Sequence, residues 1–274
     1  MGNAYEERLG TDRMLPLIFK MSLPAVAAQL VNLLYNIVDR IYIGHIPGIG
    51  TDALAGIGVT SAVIVLISSF SAIVGAGGSP LAAIALGQGN RERAGQILGN
   101  GFILLLIFTI LTSATTYLFM EPILLFTGAS ENTIGYATDY LSIYLLGTLF
   151  VELSVGLNTF INTQGRPTIA MYSVLIGAIL NIGLDPLFIF TFGMGVKGAA
   201  LATILSQACS AIWVISFLTS KKASLRLEYR YMKLHKGIIL SILALGVSPF
   251  IMASTESLVG FVLNSSLEKF GDIY

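Results

Sequence analysis

Four acidic residues, Asp39, Glu152, Asp185 and Glu256, fall inside stretches that are otherwise strongly apolar. A carboxylate at bilayer depth costs about 2.5–3.5 kcal/mol on insertion scales, so it persists where it faces protein, water or a counter-ion. Asp39 stands about five residues from the end of the first stretch and Asp185 about seven from the end of the fifth. At about 1.5 Å per residue, both lie roughly 7–11 Å below the same membrane boundary. Thr203 enters from that boundary on the sixth stretch and reaches a similar depth. Asn181 precedes Asp185 by one helical turn and Tyr35 precedes Asp39 by one, so each pair shares a helix face. Pro186 has no N–H to offer the carbonyl of Ile182, which leaves a further acceptor near that level.

Oxygen-bearing side chains from three helices at one depth suit a hard cation or a proton. Two carboxylates in such a place titrate as a coupled pair, and a bound Na⁺ can take the place of the shared proton. The competing reading is interhelical glue, worth about 0.6 kcal/mol per polar contact on average. That is enough to explain Asn181 or Thr203 alone. It does not explain two buried acids. Glu152 lies deeper, toward the other face, where gating, structural and functional roles stay open; Glu256 is an isolated acid suited to a substrate's positive charge.

The elements that position these residues follow from composition. Of 274 residues, 55% are apolar and 11% charged, and the mean hydropathy is +0.82. A soluble globule of this size cannot hide so many apolar side chains. The sequence is therefore that of an all-α, polytopic membrane protein. Seven stretches are long enough to span, at about 17–44, 53–86, 95–120, 136–162, 169–192, 198–220 and 237–264. The second exceeds one straight span, and GAGGSP (Gly75 to Pro80) offers it a cheap bend. Fifteen basic residues balance fifteen acidic ones, so no basic footprint invites nucleic acid. A single cysteine, Cys209, excludes a disulfide framework within the chain.

Basic residues set the orientation. Only Arg40, Lys197 and Lys269 of the fifteen fall on one side; the other side holds the rest, including Arg8, Arg13, Lys20 and the basic segment Lys221–Lys236. The amino terminus and that segment are expected in the cytoplasm of a cell whose plasma membrane the chain crosses. The opening MGNAYEERLGTDR is polar and mixed in charge, without a signal peptide's apolar core. Pro24 and Pro249 sit about two turns inside spans of the same direction, as a parallel repeat of six-helix units requires. The expected division is an amino-terminal six-helix lobe (1–220), a basic inter-lobe loop (221–236) and the first helix of a truncated second lobe (237–274).

At this point the residues resemble a known family. NIGLDPLFIFTFGMGVKGAALAT (Asn181 to Thr203) is similar to the fifth-to-sixth-helix signature of the multidrug and toxic compound extrusion (MATE) exporters. NLLYNIVDRIYIGHI (Asn32 to Ile46) resembles their first helix, GAGGSPLAAIALGQGNRERA their second-helix end, and NTQGRPTIAM their fourth-to-fifth connection. The resemblance implies a secondary transporter, not an enzyme. It would export cationic organic compounds against Na⁺ or H⁺, with no cofactor. It also implies a cation site of Asp39, Asn181, Asp185, Thr203 and the Ala199 carbonyl, with Asp39 and Asp185 as the Na⁺-binding acids. The candidate substrate-binding residues are Asn32, Tyr35 and Glu256. Members of the family pair two such lobes around the drug cleft, so this chain is expected to need a missing carboxy-terminal lobe, with membrane lipids as its other partners.

Three rivals are weaker. A lipid-linked oligosaccharide flippase of the same superfamily needs several cationic residues for pyrophosphate, whereas here the interior is acidic. A seven-helix receptor or photoreceptor has its amino terminus outside, and the seventh span has no lysine for a retinal Schiff base. An intramembrane enzyme needs a nucleophile or HExxH constellation at depth, and His45 and His235 fall in or beside loops. Gly95 and Gly99 form a small-xxx-small pair whose simplest reading is close packing.

Overall fold

The computed structural model describes residues 14–268; Arg8, Arg13 and Lys269, used above for orientation, lie outside them. Seven long helices match the seven expected spans, and each is long and apolar enough to cross a membrane. They are α1 (Met14–Gly44), α2 (Gly50–Gly87), α3 (Arg91–Leu118), α5 (Ile134–Thr163), α6 (Pro167–Pro186), α7 (Val196–Thr219) and α8 (Lys236–Glu268). A short α4 (Met120–Phe126) occupies what reads in the sequence as loop. No strand occurs among the described residues.

Helix is the only open-ended way for such a chain to satisfy its backbone in hydrocarbon. The hydroxyls scattered through the spans follow the same rule by bonding back one turn. Thr60 donates to the Ile57 carbonyl at 2.8 Å, Ser69 to Leu66 at 2.6 Å and Thr148 to Tyr144 at 3.1 Å. Helix ends are sealed locally: the Asn90 side chain accepts from the Arg93 N–H at 2.9 Å, and Pro167 opens α6 where its missing N–H costs nothing.

The α2 helix runs unbroken through GAGGSP. Its glycines admit neighbours instead of breaking the helix: a Cβ on Gly78 would press on the Phe160 ring, and one on Gly77 would strike the Ile242 carbonyl of α8. Across that same contact, Gly246 faces the Ile73 backbone. So α8 lies along α2, tied to it by Ser257 donating to the Ala62 carbonyl at 2.6 Å. The core of the lobe is α2, α3, α5 and α7 with their apolar faces inward. The α1 helix is different. It leans mainly on α6 and leaves Leu23, Leu30, Leu33 and Leu34 more than half exposed.

The segment 221–235 is an ordered strap across the basic end of the bundle. Ala223, Leu225 and Leu227 are buried and alternate with part-exposed Ser224, Arg226 and Glu228, the period of an extended chain. The Leu225 N–H donates to Gln164 Oε1 at 3.0 Å, and the Leu227 N–H donates to the Leu218 carbonyl at 2.9 Å. Asn100, fully buried, donates to the Lys233 carbonyl at 3.0 Å and accepts from the His235 N–H at 2.8 Å. Gly95 and Gly99 receive Tyr231: its ring lies where a Gly95 side chain would be, and its carbonyl lies against Gly99. The small-xxx-small pair is close packing, and its partner is the strap.

Candidate functional site

The fifth-to-sixth connection shows why the site forms where it does. Beyond Pro186 the helix widens into a π-helical turn, Leu187–Thr191, as expected where a proline withholds its N–H. The chain then reverses through Gly193 and Gly195, both at positive φ (64° and 56°). Gly198 packs on the Phe188 carbonyl, where a Cβ would stand at 2.8 Å from its oxygen. The reversal brings the first turns of α7, with Ala199 and Thr203, beside the end of α6, with Asn181 and Asp185.

Asp185 is fully buried and Asn181 nearly so; Asp39, on α1, is half-buried. The Asn181 amide donates to Asp185 Oδ1 at 3.1 Å. The carboxyl groups of Asp39 and Asp185 come within hydrogen-bonding reach of each other. Three buried acceptor oxygens here have no donor: Asp39 Oδ1, Asn181 Oδ1 and Asp185 Oδ2. An unmatched buried acceptor costs about 1–3 kcal/mol, more when charged. Such a cluster is a poor structural device and a natural receptor for a positive species.

Asp39 and Thr203 form part of the wall of a cavity of about 530 Å³, which Asn32 and Tyr35 also line. Other polar groups in its wall include Arg40, Gln29, Asn36, Ser154, Asn158 and Gln207, with Ser154 donating to Gln207 Oε1 at 2.8 Å. Tyr140 on α5 escaped the sequence reading. It is buried, lies beside Thr203, and stacks on Tyr144 with ring centroids 6.1 Å apart. Its one signal was the tyrosine a turn later on the same face.

Glu152 is 2% exposed, with Ser68 and Ser71 within reach and one oxygen, Oε1, unpartnered. Glu256 is not brought to the cavity. Its neighbour Ser257 points into α2, and one residue along a helix turns the side chain by about 100°, which leaves Glu256 exposed.

Residues 24–187 match the MatE family model. The chain belongs to the MatE family. It is 28% identical to a multidrug export protein MepA of Staphylococcus haemolyticus over 251 residues, covering 92% of this chain and 55% of that protein. Its fold matches a solved MATE multidrug transporter, DinF-BH, with a TM-score of 0.91 at 33% identity, over 97% of this chain and 59% of that one. An outward-facing MATE family transporter of the MOP superfamily superposes with a TM-score of 0.83 at 28% identity, over 91% of this chain and 55% of the other. The chain thus spans about half the length of the curated relatives it matches. Membership, together with seven helices long and apolar enough to cross a membrane, places this MatE chain among multi-pass membrane proteins.

Proposed function

We propose that this chain is the ion-coupled lobe of a multidrug exporter, and that Na⁺ or H⁺ binds among Asp39, Asn181, Asp185, Thr203 and the Ala199 carbonyl. The observation that carries the reading is the trio of buried oxygens on Asp39, Asn181 and Asp185 without a donor. Two facing carboxylates repel in a medium of low dielectric, and a single positive charge between them relieves the repulsion.

Coupling to export follows from α1. Gln29, Asn32, Tyr35, Asn36 and Asp39 on one helix all line the cavity, and that helix is held mainly by α6. Neutralising Asp39 changes what α1 gains by leaning on α6, so an ion that binds one arrangement of α1 better than another shifts the lobe between them. The substrate class is an organic cation: among the described residues Arg40 is the cavity's one basic lining residue, where a pyrophosphate carrier would need several. Asn32 and Tyr35 would face that substrate. The second lobe would close the cleft, with residues 237–268 as its first helix. The basic end, with Lys20 and the strap, would face the cytoplasm, in the plasma membrane.

The test uses the chain in lipid nanodiscs. Its thermal midpoint should rise with Na⁺ or with acidification, and Asp39→Asn should remove that dependence while leaving the protein folded. An Asp39→Asn protein that responds to the ion like the parent ends the proposal.

A further inference from the structure

The basic end of the bundle carries a second built site, far from Asp39. A cleft of about 590 Å³ lies between the start of α3 and the strap. Among the described residues, Arg91, Lys221, Lys222, Arg226 and Arg230 line it, against one lining carboxylate, Glu228. Glu228 is already engaged, holding the Arg230 guanidinium at 2.7 Å, and the Arg230 side chain also covers the Tyr231 ring at 4.5 Å. The Arg226 guanidinium is fixed by its own backbone, donating to the Ala223 carbonyl at 3.3 Å and the Lys221 carbonyl at 3.0 Å. The extended strap explains the concentration of charge. Burying Ala223, Leu225 and Leu227 turns Arg226 and Glu228 outward together, while Ser224 Oγ lies buried at the cleft without a hydrogen-bond partner.

We infer that this cleft binds the phosphate of an anionic phospholipid headgroup. Charge complementarity supplies the first argument: among the described lining residues Lys221, Lys222, Arg226 and Arg230 face one acid, Glu228, which is already engaged, and this leaves an excess for an anion even without Arg91. Location supplies the second. Lys221 and Lys222 follow directly on the last turn of α7, and Arg91 opens α3, so the cleft sits where spans end and headgroups begin. The third is preorganisation. The strap is held by Gln164, Asn100 and the Gly95–Gly99 notch before any lipid arrives. A bound headgroup would join the start of α3 to the strap that leads into α8. The inference is independent of the ion site, and rests on the proposed orientation only for the leaflet it assigns.

The experiment titrates the purified chain in neutral detergent with dioctanoyl-phosphatidylglycerol, dioctanoyl-phosphatidylcholine or glycerol 3-phosphate, reading occupancy by native mass spectrometry. Phosphatidylglycerol should bind roughly tenfold or more tighter than phosphatidylcholine, and raising ionic strength should erode that preference. The double variant Lys221→Gln, Lys222→Gln should weaken phosphatidylglycerol by roughly fivefold per lysine and leave phosphatidylcholine unchanged. Lys221→Arg with Lys222→Arg, which keeps the charge, should bind like the parent and controls for folding. Equal affinity for the two lipids, a salt-independent preference, or a Gln pair that binds like the parent overturns the inference. Glycerol 3-phosphate competing as strongly as phosphatidylglycerol also overturns it, because the cleft would then be a receptor for soluble phosphates.

Discussion

The two ends of this lobe solve the problem of buried polar groups in opposite ways. At the strap, Asn100 uses both amide functions: its Nδ2 serves the Gln96 and Lys233 carbonyls and its Oδ1 takes the His235 N–H. Gln164 is used likewise, donating to the Phe160 carbonyl and accepting from Leu225. At the other site, Asn181 keeps its carbonyl oxygen idle, and Asp39 and Asp185 each keep an oxygen idle. Both regions are buried and both are polar. The difference is that one is complete within the chain, as an anchor must be, and the other is complete only when something positive arrives.

The largest expected effect tests the incomplete region. Asp185→Leu, in the lobe joined to a relative's second lobe, should lower ion-coupled drug efflux by roughly a hundredfold or more, since it removes the only fully buried carboxylate of the site. Its fold should survive at a cost of about 1–3 kcal/mol, because the change removes one of two repelling carboxylates but leaves the Asn181 amide without its acceptor. Efflux at the parental rate would erase the distinction between the two ends. A milder Asp185→Asn should reduce efflux yet keep the Asn181 contact.

The second effect tests the complete region. Gly99→Val places side-chain atoms on the Tyr231 carbonyl. Backbone cannot swing aside as a side chain can, so the strap must lift. The expected loss is about 2–4 kcal/mol of stability by denaturant unfolding in detergent. Protease cleavage within 221–235 should rise at the same time. Loss of ion response without either change would contradict the assignment of Gly99 to the anchor.

Third comes Asn100→Leu. It leaves the Lys233 carbonyl and the His235 N–H without their partner, at about 1–3 kcal/mol for each group left unpaired. Because the ion site is elsewhere, Na⁺ or H⁺ dependence should be retained in the weakened protein.

How much of this was legible beforehand depends on whether the physics is local. The spans, the depth match of Asp39 and Asp185, and the i to i+4 pairing of Asn181 with Asp185 all follow from helical rise and period. The structure places those residues together. The strap did not read that way. Its basic composition hid a period-two burial pattern, and its anchors, Asn100 and Gln164, lie far away in sequence inside helices that look merely apolar. Tyr140 was lost for the same reason, since an aromatic in a membrane span is ordinary until its hydroxyl is seen against Thr203. Glu256 shows the converse: its type and depth were suggestive, but the face it occupies is fixed by how α8 packs on α2, which no spacing within α8 reveals.

The smallest effect belongs to the one contact that resembles both regions and is neither. Lys197, at the start of α7, pairs with Asp139 on α5 at 3.2 Å, with the two side chains 53% and 45% exposed. It joins opposite charges, as the ion site would, and ties two helices, as the strap does. Solvent screens it, and fixing two mobile side chains offsets most of the attraction, so Lys197→Ala should change stability by about 0.2–1 kcal/mol or less. Ion dependence should be untouched, because the pair lies on the exposed rim and neither of its members lines the cavity. A drop comparable to that of Asn100→Leu would mean that the rim, and not burial with complete hydrogen bonding, holds α5 and α7 together. The contrast between the two ends of the lobe would then have to be drawn from exposure as well as from partner counting.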